Sequence, residues 1–163
     1  MAGHDRETRD GKWFFKQIEE LKKLQARAGF QHGREKAWKR TGKGGKKIIE
    51  AEADIADVAM WNELGTARSK PRPFLRQSVD NNTDQIKAMC SAQLNLLAKG
   101  TATAKDVLQA LGALQVGLIQ KTIRDGDFEP NRPSTIKRKG SDRPLIDTGR
   151  MRQSVHYVIE EKE

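Results

Sequence analysis

The chain has 163 residues, with 31 Lys and Arg against 22 Asp and Glu, which gives a formal net charge of +9. That length corresponds to one domain with a real core, and no stretch approaches the roughly 18–20 apolar residues that a membrane-spanning helix needs. A charged start without an apolar segment predicts no secretory signal. The single cysteine, Cys90, can form no internal disulfide, so a reducing cytoplasm is expected and a Cys-rich zinc site is excluded.

The first part of the chain is basic. Apolar residues recur at helical spacing over 12–28, which predicts an amphipathic helix that ends at Gly29. The glycine- and lysine-rich run 41–47 predicts a flexible loop, and a weak alternation over 47–53 predicts a short strand. Residues 1–47 carry a net charge of +8, so we expect them to form a basic N-terminal helical arm and loop.

Helical spacing dominates the middle of the chain. It predicts a helix over 54–64 and two long helices over 74–99 and 104–124. Thr103 and Asp106 stand at the spacing of a capping box before the last of these. The residues of the first helix that we expect to face the core are Ile55, Val58, Ala59 and Trp61.

Two proline-containing loops and one strand complete the predicted elements. The loops cover 66–73 and 125–144, and alternation over 153–160 predicts a strand. These elements predict an α+β fold, in which long helices pack on a small antiparallel β-sheet and the loops are extended. We expect residues 48–163 to form this single domain.

Two short motifs are similar to enzyme sites, but each departs from its pattern. The run 42–47 lacks both the first glycine and the final Ser or Thr of a phosphate-binding loop. The Asp-Thr-Gly triplet at 147–149 also occurs in dimeric aspartic proteases, yet Arg150 follows it where the protease has a small residue. The triplet also suits a tight turn into the last strand. We therefore expect no enzyme, no cofactor and no metal site.

A corner between two predicted helices is the most distinctive local pattern. Gly65 can end one helix, and Pro73 presets the backbone for the next. Phe74 follows at the junction as an apolar anchor. This pattern fits an ordinary helix–loop–helix corner as well as a docking site.

Two segments resemble one family of tailed-phage proteins. The first segment, residues 60–79, reads MWNELGTARSKPRPFLRQSV. It resembles the Glu-aromatic-Gly-Thr…Pro-Phe-Leu/Phe-Arg signature of that family, with Leu64 in place of the aromatic residue. The second segment, residues 128–159, reads FEPNRPSTIKRKGSDRPLIDTGRMRQSVHYVI. It resembles the C-terminal half of the family's proteins, with Pro-Leu-Ile-Asp-Thr-Gly before a Ser-containing strand. The family is the neck, or tail-completion, group of head–tail joining proteins. The match covers roughly 55–159, and residues 1–45 lie outside it.

The resemblance implies a structural role in the virion, assembled in the host cytoplasm. Such proteins are ring-forming subunits between the capsid connector and the tail, in six or twelve copies around the DNA channel. The implied neighbours are a head-completion or connector protein and the tail terminator or tail tube. No membrane is involved, and DNA would contact the ring through its phosphates without being read.

We expect the 66–73 and 125–144 loops to dock partners, with Phe74 and the 147–149 turn fixing them to the core. The N-terminal helix, with Trp13 and Phe14, would pack either on a neighbouring subunit or on its own core. The expected docking residues are Glu63, Gly65, Thr66, Arg68, Pro71, Pro73, Phe74, Asn131, Pro133, Thr135, Asp147, Thr148 and Gly149. The expected contacts with DNA phosphates are Lys39, Arg40, Lys43, Lys46, Lys47, Lys137, Arg138 and Lys139.

An alternative hypothesis comes from the basic charge alone. A non-specific nucleic-acid-binding protein would use the N-terminal segment 1–47 and would bind DNA tightly as a monomer in low salt. The neck hypothesis instead predicts weak binding by the monomer and stronger binding by the ring.

Overall fold

A computed structural model describes residues 9–31, 36–37, 53–67, 69–146 and 149–162. The helices are α1 Arg9–Lys23, α2 Ile55–Leu64, α3 Phe74–Asp80, α4 Thr83–Ala98, α5 Ala104–Asp125, α6 Pro133–Lys139 and α7 Arg150–Gln153. The strands are β1 Leu24–Gly29, β2 Lys36–Ala37, β3 Ala53–Asp54 and β4 His156–Glu161. This is the expected α+β class, and no described helix is long and apolar enough to cross a membrane.

The longest described helix, α5, is the centre of the fold. It begins with the expected capping box: the Thr103 hydroxyl accepts from the Asp106 backbone N–H, and the Asp106 carboxylate accepts from the Thr103 N–H. The helix contacts α1, α3, α4, α7 and both strands of the β1–β4 sheet. These four helices and the sheet therefore pack on one central helix.

The β1–β4 sheet is antiparallel and joins distant parts of the chain, with Leu24 opposite Glu161 and Gly29 opposite His156. Its two faces differ, because successive side chains of a strand point to opposite sides. Tyr157 faces α5, where its ring lies so close to Gly112 that a Cβ there would be 2.5 Å from Tyr157 Cδ2. The glycine thus lets the sheet approach the helix.

The buried core lies where α2, α3 and α5 meet the later loops. Phe74 has no exposed surface and packs edge-to-face with Phe30, with 6.0 Å between the ring centroids. The other buried members of this cluster are Ile55, Ala59, Ile119, Ile123, Phe128, Leu145, Met151 and Val155.

The helix predicted over 12–28 is wrong in its last part, because residues from Leu24 onward form β1. Leu24, Ala26 and Ala28 share the sheet face of Tyr157, whereas Arg27 lies on the other face and pairs with Glu160 at 2.6 Å. The strand period therefore places the small apolar residues against α5. α1 itself contacts α5 and α4 of the same chain, and this part of the predicted 1–47 arm packs within the fold.

Two further boundaries differ from prediction. The helix expected over 74–99 is divided between α3 and α4 by a turn at Asn81 and Asn82, where the Asn82 side chain donates to Ser78 O at 3.0 Å. An asparagine that bonds nearby backbone favours a turn over a continuous helix. The loop predicted over 125–144 contains the helix α6, which Pro133 begins and Gly140 ends in the left-handed conformation.

The predicted chain end also needs correction. Residue 153 belongs to α7, so the strand starts later than expected, at His156. Gly149 has a φ of +77° and precedes α7 rather than leading directly into β4. The strand predicted over 47–53 falls outside the described residues, apart from Ala53 in β3.

Candidate functional site

The corner between α2 and α3 is closed by Glu63. Its two carboxylate oxygens accept from the backbone N–H groups of Leu75 and Arg76, at 2.8 and 3.0 Å. These are donors that the first turn of α3 leaves unpaired, and Pro73 provides no side-chain cap. Gly65 has a φ of +78°, and a Cβ there would lie 2.8 Å from the nitrogen of Pro71. The capping of α3 therefore accounts for a glutamate at position 63, and the positive φ and close backbone approach account for a glycine at position 65.

Arg72 joins this corner to the loop that follows α5. Its side chain is 7% exposed, and its guanidinium donates to Glu129 O at 3.0 Å, Pro130 O at 3.4 Å and Asn131 Oδ1 at 3.1 Å. Asn131 in turn donates to Arg143 O at 3.3 Å. We call the contacts of Arg72 with residues 129–131 the Arg72 clamp.

The charge in the clamp is compensated mainly by carbonyl oxygens. Burial lowers the pKa of the Arg72 guanidinium from its ordinary value, and the charge of Glu129 partly opposes this shift. The Glu129 carboxylate itself binds Lys70 at 2.6 Å. Arginine stays protonated in proteins, so the clamp holds a buried cation whose planar fork matches three acceptors.

The clamp brings together the two segments that carry the family resemblance. Residues 60–79 supply Arg72, and residues 128–159 supply its acceptors. Two of the expected docking residues, Phe74 and Asn131, are 0% and 9% exposed. They act inside the fold, and Phe74 is placed to anchor the corner rather than to meet a partner directly.

The remaining expected residues are spread over several surfaces. Thr66 and Pro71 are exposed on the corner loop, and Pro73 is half-buried. Four further predicted residues follow the clamp in the described part of the chain. Pro133 and Lys137 are exposed, and Thr135 and Gly149 are half-buried. Those outside the described residues are Arg68, Asp147, Thr148, Lys39, Arg40, Lys43, Lys46 and Lys47, and the side chains of Arg138 and Lys139 are likewise not described.

A groove of about 540 Å³ opens on the sheet face that turns away from α5. One wall is this face of the sheet, with Arg27, His156 and Val158, and the other is α2. The residues of α2 and α3 that line it are Ala56, Ala59, Met60, Glu63, Leu64 and Leu75. We refer to it as the sheet–α2 groove.

His156 lies in the wall of this groove. Its Nδ1 atom donates to Ser154 O at 2.8 Å, and its Nε2 atom is buried without a hydrogen-bond partner in the described part of the chain. No group of three or more His, Cys, Asp or Glu there could hold a metal ion. Most of the residues that line the groove are apolar.

Sequence reasoning did not find this groove, although α2 carries a signal for it. Trp61, expected in the core, is 46% exposed, and Met60 and Leu64 are 47% and 72% exposed. Ile55 and Ala59 of the same helix are buried, so α2 has apolar side chains both in the core and at the surface.

Comparison of the chain with protein-family models, with curated proteins and with solved structures finds no match.

Proposed function

We propose that the chain is an assembly subunit: a ring-forming neck or tail-completion protein that joins the head of a tailed phage to its tail. The observation that carries the proposal is the apolar surface of α2, on which Met60, Trp61 and Leu64 are exposed beside an open groove. Exposed apolar surface of this kind is typical of protein–protein interaction sites. The chain's function would then be to bind neighbours rather than to transform a substrate.

The more specific assignment to a phage neck is supported by the sequence resemblance. Its two segments lie about 50 residues apart, yet Arg72 holds them together as one unit. If the two segments form one binding surface, they must be held in fixed relative positions although they are distant in sequence. The hydrogen bonds of Arg72 provide that connection. The uneven basic charge of the chain also agrees with a position beside DNA.

The test is a joining assay with separated heads and tails. Adding the purified chain should produce complete particles, and Trp61→Ser should reduce the yield, since this exposed side chain is on α2 but not in the groove. Leu94→Ser, which removes a similarly exposed side chain from α4, is the matched control and should join normally. A chain that joins nothing, but binds DNA tightly at low salt as a monomer, would favour the nucleic-acid-binding alternative.

A further inference from the structure

Residues 132–143, which we call the strap, lie outside the core. The residues on either side of this region, Asn131 and Leu145, are 9% and 8% exposed, whereas every described side chain of the strap is exposed or half-buried. The strap contains α6, which alone among the described helices makes no extensive contact with another described helix or strand. Little buried apolar surface therefore stabilises the conformation of the strap.

The helix in the strap is too short to be stable by itself. α6 has seven residues, and isolated helices shorter than about 12–15 residues are marginal in water. Its hydrogen bonds include those from Ile136 N to Arg132 O, at 3.0 Å, and from Gly140 N to Ile136 O, at 2.8 Å. These bonds need support from the ends of the strap, because the rest of the fold does not cover the helix.

Both ends of the strap are anchored in the fold. Phe128 and Leu145, which lie just outside it, belong to the same buried cluster. The Asn131 side chain connects the two ends directly. Its Oδ1 atom accepts from the Arg72 guanidinium at 3.1 Å, and its Nδ2 atom donates to Arg143 O at 3.3 Å. One side chain thus joins the start of the strap, its end and the Arg72 clamp.

We propose that the strap is a conformational device that opens and closes as one unit on a folded core, and that the Asn131 side chain stabilises its closed state. A protein opens locally where few buried contacts are lost, at a lower free energy than it unfolds as a whole. Opening the strap breaks the contacts of Asn131 and the hydrogen bonds of α6. It leaves Phe128 and Leu145 in the buried cluster.

The device would control how the strap meets a partner. Pro133, Thr135 and Lys137, which the sequence predicts as contacts, all lie in the strap. The closed strap holds them in fixed relative positions, and the open strap does not. A partner that binds only the closed strap must also slow its opening, because the two equilibria are linked. This inference concerns the strap itself and does not depend on the neck assignment.

The test measures amide hydrogen exchange of the full chain by NMR. Protection, the slowing of exchange relative to an unfolded chain, is compared between Ile136 and Gly140 in the strap and Ile119 and Ile123 in α5. The two strap amides should be protected, but at least about a hundredfold less than the two α5 amides. Urea below the unfolding transition should lower the protection of the α5 amides and leave that of the strap amides unchanged, because local opening exposes little surface.

Two variants test the role of Asn131. Asn131→Ala removes both contacts of the side chain, and Asn131→Asp keeps an acceptor for Arg72 but removes the donor to Arg143 O. Both should lower the protection of the strap amides by roughly tenfold or more, because a buried hydrogen bond of the closed state is lost. The matched control is Asn95→Ala, which replaces an exposed asparagine of α4 and should change that protection by less than about twofold.

Three results would overturn the inference. Strap amides without protection in the wild type would mean that the strap is not closed in solution. Strap amides with the protection and the urea dependence of the α5 amides would mean that the strap opens only when the whole chain unfolds. Unchanged protection in both Asn131 variants would mean that this side chain does not stabilise the closed state.

Discussion

Replacing Arg72 by alanine tests whether one buried side chain unites the corner with the loop after α5. The substitution removes three hydrogen bonds, to Glu129 O, Pro130 O and Asn131 Oδ1. Water can reach Glu129 and Pro130, which are exposed, but Asn131 is only 9% exposed. We therefore expect most of the lost stability to come from the contact with Asn131.

The expected magnitude follows from these exposures. A buried acceptor left without its donor costs about 1–3 kcal/mol. Loss of the packed aliphatic stem of Arg72 adds roughly 1 kcal/mol, at about 0.8 kcal/mol per buried methylene. We expect Arg72→Ala to lower the free energy of unfolding by about 3 kcal/mol in total. Arg72→Lys should recover only part of it, because lysine keeps the charge but lacks the planar fork.

Urea unfolding measures this difference. With a slope of about 1–3 kcal/mol per molar urea, the midpoint should fall by roughly 1–3 M. The control is Arg76→Ala, whose side chain is 78% exposed and lies 3.5 Å from Asp80. It should cost about 0.5 kcal/mol or less. An Arg72→Ala chain within 1 kcal/mol of the wild type, or no more affected than the control, would refute the reasoning.

Four further substitutions have expected outcomes. Gly112→Ala should destabilise the chain by about 1–3 kcal/mol in urea unfolding, because its Cβ would overlap Tyr157; Gly117→Ala, with open space in the same helix, should stabilise it by about 0.5–1 kcal/mol. Phe74→Ala should cost about 3–5 kcal/mol, so a stable folded variant in thermal denaturation would contradict its central burial. Hydrogen bonds from the backbone and side chain of the helix cap lower the pKa of Asp106. Its contribution is therefore present above the ordinary pKa of 3.8 and lost as pH falls through the lowered pKa, so Asp106→Asn should destabilise the chain at pH 7, and the difference from the wild type should shrink as the pH falls below 3.8.

The helices were predictable where a local signal marked their ends. The capping box at Thr103 and Asp106 correctly located the start of α5, and Asp54, whose side chain accepts from Ala56 N, caps α2. The period over 12–28 misled, because Leu24 fits both the helical spacing from Leu21 and the first inward position of a strand. Only the partner strand, at the other end of the chain, decides between these two conformations.

The corner between α2 and α3 was predictable as a turn between two helices, whereas the groove was not, and the docking role of the corner residues stays a prediction. Glu63, Gly65 and Phe74 stand out because their neighbours in sequence form the corner with them. The role of Arg72 depends on acceptors more than 55 residues away, which no local pattern reveals. The groove likewise arises between α2 and β4 and has no sequence signature of its own, apart from the apolar residues on both sides of α2.

The pairing of β1 with β4 has a consequence for how the chain folds during synthesis. Gln25 and Glu160, which face each other across this sheet, are 135 residues apart. At about 5–20 residues per second, the partner of β1 is made roughly 7–27 s later. The helices can form early, but β1 must wait with an unpaired edge until β4 leaves the ribosome. The closing step of folding is therefore the long-range loop closure that brings the two strands together, which is the slow kind of contact.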